Sequence, residues 1–202
     1  MTEPISSLAV AYCNCMDDVK HRLFHMNRIL SGYSPMGHEG LDGEVVFLLM
    51  RKSLEQIAFS SLIAHRDAYS QIHEDFAKTW RVKGLLERIR AIHPAFYPKP
   101  VSFPAVDTGR VKHLLDVTEG YLTQDEFAFL YDACSEVLHT WNPYRPGPRV
   151  VNTQRPMAEW VQRIQRLLDL HYIQLAGEEG VWVVQMQHPE DGKVHAFPAS
   201  PH

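Results

Sequence analysis

The chain has 202 residues, 45% hydrophobic and 22% charged, which excludes a wholly disordered, collagen-like or coiled-coil protein. That length suits one domain with an appendage better than two complete domains. Twenty basic against 24 acidic residues leave a net charge of -4, so no global basic field draws the protein to nucleic acid and any such contact must be local.

Cys13, Cys15 and Cys134 are odd in number and two lie one residue apart, the pattern of reduced thiols rather than of a disulfide framework. No Lys or Arg precedes the first apolar residues, so a signal peptide is not expected. Nor does any apolar run approach the roughly 18 residues of a bilayer span. A cytoplasmic protein without membrane contact is expected.

From Ser6 to about Leu30, residues Tyr12, Met16, Val19, Leu23, Met26 and Leu30 recur in steps of three and four and predict a long packing helix. Gly32, Pro35, Gly37, Gly40 and Gly43 interrupt it, and Asp42 is the expected cap of a second helix running from about Glu44 to Ala64. That helix is apolar on most sides, as a central helix is. A third is predicted from about Glu74 to Ile92, stopped at His93-Pro94. Pro94, Pro98, Pro100 and Pro104 then demand an extended, ordered excursion carrying Phe96, Tyr97 and Phe103. A short helix is expected over Arg110 to Thr118.

Thr123-Gln124-Asp125-Glu126 is a capping box, and the helix it opens is expected to run to Asn142-Pro143. Met157, Trp160, Val161, Ile164, Leu167 and Leu168 mark a last helix from about Gln154 to Leu170. The period then changes to that of strands over Tyr172 to Leu175, Val181 to Gln187 and Lys193 to Phe197, separated by two turn-like segments. The expected architecture is mainly α: a bundle of five or six helices over residues 1–170, with a C-terminal three-stranded antiparallel meander over 171–202 packed on it.

On the helix opened by Thr123, spacings of three and four place Asp132, Ser135, His139 and Asn142 along one polar line. An imidazole beside a hydroxyl, a carboxylate and an amide serves general acid–base chemistry; a solvated helix face carries the same residue types. Arg51 and Glu55 stand four apart in the most apolar helix, the spacing of a structural ion pair or of a ligand-binding pair. Cys13, Asp17, His21 and His25 recur every four residues, but the core stripe of that helix points elsewhere, so no metal is assigned to them.

The Arg51-Lys52-x-x-Glu55 helix, together with Tyr131-x3-Ser135-x3-His139-Thr-Trp-Asn142-Pro, resembles the HEPN superfamily. These helical domains recur in toxin–antitoxin, antiviral-defence and RNA-processing proteins. The resemblance covers Ser6 to Leu170 and leaves the β tail outside. It implies that His139 corresponds to the histidine of the Arg-x4–6-His motif, with which active members cleave RNA without a metal. The three positions open to the motif arginine are Cys134, Ala133 and Asp132, and none is cationic. Literal Arg-x4-His strings at Arg88 to His93 and Arg166 to His171 are no more frequent than chance provides.

The resulting expectation is a HEPN-like intracellular protein that binds RNA or a nucleotide-containing ligand, as a metal-independent ribonuclease or a degenerate homologue. His139 would be the acid–base group, Ser135 and Asp132 its neighbours, and Tyr131, Asn142, Arg51, Glu55 and Arg145 the ligand contacts. No cofactor is expected. By the resemblance the chain would be a homodimer with its His139 helices near the two-fold axis. The competing reading is a non-catalytic interaction or dimerisation module for a protein partner.

Overall fold

A computed structural model describes residues 7–63, 69–74, 82–104, 114–140, 144, 151–175 and 180–199. Helix α1 (Ser7–Leu30) buries Tyr12, Met16, Val19, Leu23 and Met26 of the predicted stripe, together with Ala9, while Leu30 is only partly buried. Helix α2 (Glu39–Ser60) starts earlier than expected because His38, not Asp42, caps it: the His38 ring accepts the Leu41 amide. Asp42 is instead buried inside the first turn, accepting the Ser34 hydroxyl and, at 2.9 Å, the Met36 amide. Its carboxylate therefore holds the preceding loop rather than the helix end.

Residues 69–74 are helical and α3 spans Val82–Ile92; Phe76 and Trp80 lie outside the described residues. The proline-rich excursion is extended, as its composition requires, and forms strand β1 (Lys99–Ser102). Leu115–Asp116, expected to be helical, is strand β2. It pairs antiparallel with β1, Val101 opposite Asp116 and Ser102 opposite Leu115, so neighbouring backbone overrides weak local helical preference.

Helix α4 (Gln124–Leu138) opens on the predicted capping box, with the Thr123 hydroxyl accepting the Glu126 amide and the Glu126 carboxylate accepting the Thr123 amide. It stops earlier than expected. His139 is its C-cap in extended conformation (φ -75°, ψ 140°), so the chain leaves the helix before the residues adjoining Pro143. Helix α5 (Met157–Leu168) buries Trp160, Val161, Ile164, Leu167 and Leu168.

Strands β3 (Leu170–Gln174), β4 (Val181–Gln185) and β5 (His195–Ala199) form the predicted meander. The sheet has five strands rather than three, in the order β2-β1-β3-β4-β5 and antiparallel throughout. The excursion supplies the additional two: Lys99 and Pro100 pair with Tyr172 and His171 of β3. One continuous core joins sheet and helices, running from Tyr12, Met50 and Leu54 through Leu130 and Trp160 to Ile173, Val184 and Ala196. The chain is thus mainly α with a β part that shares its core. No helix among the described residues is long and apolar enough to cross a membrane.

Candidate functional site

Helices α2 and α4 pack together and bring the two sequence-predicted groups of ligand residues into contact. Arg51 Nε donates to Glu55 Oε1 at 3.2 Å and to the Tyr131 hydroxyl at 3.1 Å. The Tyr131 hydroxyl in turn donates to Glu55 Oε1 at 2.8 Å, and the Arg51 guanidinium lies 4.9 Å from the Tyr131 ring centroid. Burial, and then the Glu55 carboxylate, raise the Tyr131 phenol well above its ordinary value, so it stays a proton donor. One turn later the buried Cys134 thiol is pushed up to about 12 by burial, with Arg51 opposing. Arg51 and Glu55 are therefore an ion pair braced by an aromatic hydroxyl.

Glu55 also faces a cavity of about 440 Å³ lined by α1, α2 and the 69–74 segment. Its cationic residues are Arg22 and Lys52, and Gln56 and Ser60 add neutral polar groups. Arg22 is the unusual member: its Nη1 is buried with no hydrogen-bond partner among the described residues. A buried guanidinium nitrogen without an acceptor is costly, and an anion entering the cavity would relieve that cost. The aromatic wall consists of Phe59, Tyr69 and His73. Phe59 meets Tyr69 edge-on with centroids 5.2 Å apart, and Tyr69 stacks on His73 at 5.8 Å and 26°. Burial raises the Tyr69 phenol, with Cys15 and Glu55 adding to it; burial likewise raises the Cys15 thiol, against Gln56 and Arg22.

Of the expected acid–base line, Asp132 and Ser135 lie on α4 and His139 is its extended C-cap. Asp132 is exposed, its carboxyl lifted by partial burial. The Ser135 hydroxyl donates to the Tyr131 carbonyl at 2.9 Å, and His139 sits exposed at the helix end. Asn142 and Arg145 lie outside the described residues. The two literal Arg-x4-His strings also dissolve: the His93 ring donates to the Gln174 carbonyl at 2.6 Å, and His171 is fully buried.

On α1, Asp17 pairs with Lys20 while His21 and His25 are exposed, and Cys13 is raised to about 11 by burial and by Asp17. Those four residues are not gathered as a donor group; among the described residues His188, Asp191 and His195 are, each with one donor atom within 4.8 Å of the others. A second cavity, of about 560 Å³, lies between α1 and the sheet. Its Lys20 ammonium is occupied by Asp17 and by the Gly192 carbonyl.

Arg22, Phe59, Tyr69 and His73 were not singled out in the sequence. Spacing gives a partial signal: Cys15 and Arg22 stand seven apart on α1, and Lys52, Gln56 and Phe59 follow steps of four and three on α2. Each set marks one helix face. That the faces meet around a cavity depends on how α1 packs on α2. Comparison with known protein families, curated proteins and solved structures returns no match.

Proposed function

We propose that this chain is a HEPN-like helical protein that binds a nucleotide-containing ligand in the α1–α2 cavity, as a binding domain rather than a ribonuclease. The observation that carries the reading is Arg22, which lines that cavity and whose Nη1 is buried without a hydrogen-bond partner among the described residues. A guanidinium recognises phosphate oxygens through charge-assisted hydrogen bonds. Phe59, Tyr69 and His73 supply ring faces of the kind on which a base stacks. A cavity of about 440 Å³ matches a small ligand rather than a nucleic-acid duplex. Two cations against the single Glu55 carboxylate make this locus positive within a chain of net charge -4.

Catalysis is disfavoured by the departure of His139 from the helix that carries Asp132 and Ser135 and by the engagement of Arg51 with Glu55 and Tyr131. The site draws on one chain, so the homodimer implied by the HEPN resemblance would add an interface without completing the cavity. The reading places the protein inside the cell, where its three free cysteines stay reduced.

Calorimetric titration with the four ribonucleoside monophosphates and with inorganic phosphate tests this. Saturable binding of a nucleotide is expected, lost in Arg22→Met and kept in His139→Ala. Equal affinity in wild type and Arg22→Met overturns the assignment. Incubation with RNA in chelator should give the same background for wild type and His139→Ala. Cleavage lost specifically in the variant would restore the enzymatic reading.

A further inference from the structure

The turn between β4 and β5 contributes nothing to the nucleotide cavity, yet it gathers metal-type donors. His188, Asp191 and His195 each offer one ligand atom, all within 4.8 Å of one another. His195 Nε2 lies 3.0 and 3.1 Å from the two Asp191 carboxylate oxygens. The His188 ring stacks on that of His195 with centroids 4.4 Å apart and 24° between planes. The Glu190 amide approaches His188 Nδ1 at 3.4 Å, the outer limit of a hydrogen bond, and Nε2 has no hydrogen-bond partner among the described residues.

We propose that the hairpin binds one divalent transition-metal ion through His188, Asp191 and His195. Zinc–nitrogen and zinc–oxygen bonds of about 2.0–2.2 Å require neighbouring ligand atoms roughly 3.3–3.6 Å apart in a tetrahedral site. The Asp191–His195 pair, at 3.0–3.1 Å, reaches that spacing by opening a few tenths of an ångström, and His188 by a side-chain movement on the order of 1 Å. Two neutral imidazoles and one carboxylate suit zinc, cobalt, nickel or copper. Calcium and magnesium seek oxygen ligands.

The backbone holds the donors in place before any ion arrives. His188 donates its amide to the Lys193 carbonyl at 2.9 Å, and Gly192 returns its amide to the His188 carbonyl at 2.8 Å. Gly192 occupies a positive φ of 68°, which a residue without Cβ adopts at little cost. The Lys193 amide donates to Asp191 Oδ1 at 2.9 Å and so fixes the orientation of that carboxylate. Lys20 of α1 anchors the turn through the Gly192 carbonyl at 2.9 Å. His195 is fixed by strand register opposite Gln185, and the Phe197 ring flanks both imidazoles with centroids about 6.0–6.1 Å away. Asp191 is exposed, so the fourth position faces solvent and takes water.

Cobalt(II) titration of the full chain without a histidine tag is the test, read by visible d–d absorption, with zinc added to displace the cobalt. One ion per chain is expected, with no displacement by magnesium or calcium. His195→Ala and Asp191→Ala should each weaken binding at least about ten-fold, the lower end of what losing even a hydrogen-bond partner of a ligand costs a metal site. His188→Ala/His195→Ala should abolish it, while His21→Ala/His25→Ala should not alter it. An unchanged isotherm in His188→Ala/His195→Ala, with far-ultraviolet circular dichroism matching wild type, overturns the proposal; so does the absence of saturable uptake by the wild type.

Discussion

The Tyr12 hydroxyl lies 2.9 Å from His171 Nε2, joining the first helix to the sheet across 159 positions of sequence. The other ring nitrogen, Nδ1, lies 2.8 Å from the Leu168 carbonyl. A carbonyl only accepts, so Nδ1 carries the proton and Nε2 accepts from Tyr12. Both partners are thus satisfied by the neutral imidazole, and a second proton would leave Tyr12 without its acceptor.

That arrangement makes stability depend on pH with a definite sign. Burial lowers the His171 pKa to about 4, the Leu168 carbonyl opposing only in part, whereas an unfolded histidine titrates near 6.5. Between these values the unfolded chain binds more protons than the folded one. The contribution is fully present above about pH 6.5 and falls by up to about 1.4 kcal/mol per pH unit towards pH 4. Denaturant midpoints measured across this range should decline more steeply for wild type than for His171→Leu. Parallel declines would show that His171 is not the titrating group.

The start of α4 combines a cap with an ionic cluster. Glu126 accepts the Thr123 amide and meets Arg163 Nη2 at 2.8 Å and Arg155 Nη2 at 3.2 Å. Burial alone would raise its carboxyl, but the Thr123 amide and the two arginines outweigh that effect and hold it below its ordinary value. Its contribution is therefore present above the usual carboxylate range and is lost as pH falls through the lowered value. Thr123→Ala should cost about 1 kcal/mol, and Glu126→Gln should weaken both links together. Their effects in the double variant should fall short of the sum; strict additivity in chemical denaturation would mean that the two halves of the box act independently.

Two backbone positions invite opposite substitutions. Gly120 has φ 76°, and a Cβ there would come within 3.2–3.3 Å of the Arg166 side chain, whose Nε donates to the Glu119 carbonyl. Among the described residues Gln154 is the non-glycine residue of positive φ, at 56°, and is exposed. A left-handed conformation costs an L-residue about 1 kcal/mol or more. Gly120→Ala should therefore destabilise by about 1–2 kcal/mol, and Gln154→Gly should be neutral or stabilising by up to about 1 kcal/mol. Thermal melts of the two variants provide the comparison, and a stabilised Gly120→Ala would contradict it.

Elements with a repeating local pattern were legible in the sequence: α1 through its six-residue apolar stripe, α4 through Thr123 and Glu126, and the meander through its change of period. Features set by distant partners were not. Leu115 and Asp116 become a strand because β1 lies beside them. His38 displaces Asp42 as a cap because Asp42 is drawn to Ser34 and Met36. The same division runs through the site. Arg51, Glu55 and Tyr131 carried local or family-like spacing, whereas Arg22 and the Phe59–Tyr69–His73 wall gain meaning only where α1 meets α2. The line from Asp132 to His139 presumed a helix that continues, and His139 has already left it.

Tyr131 then separates the two candidate centres experimentally. Its hydroxyl bridges Arg51 and Glu55, and Glu55 is the member of that group that lines the cavity between α1 and α2. Tyr131→Phe keeps the ring under the Arg51 guanidinium but removes the donor to Glu55, leaving the 3.2 Å ion pair to hold the carboxylate alone. Loss of a buried hydrogen bond to a charged group should cost about 1.5–3 kcal/mol of stability. A freer Glu55 carboxylate would also compete for Arg22 and Lys52, so nucleotide affinity should fall several-fold, while His139→Ala, on the exposed end of α4, should leave it unchanged. Because the raised phenol remains protonated through the neutral range, the ratio of wild-type to Tyr131→Phe affinity should stay constant between about pH 6 and pH 8. Titration calorimetry of both variants at the two pH values decides the matter: a His139→Ala loss equal to that of Tyr131→Phe would move the site to the end of α4.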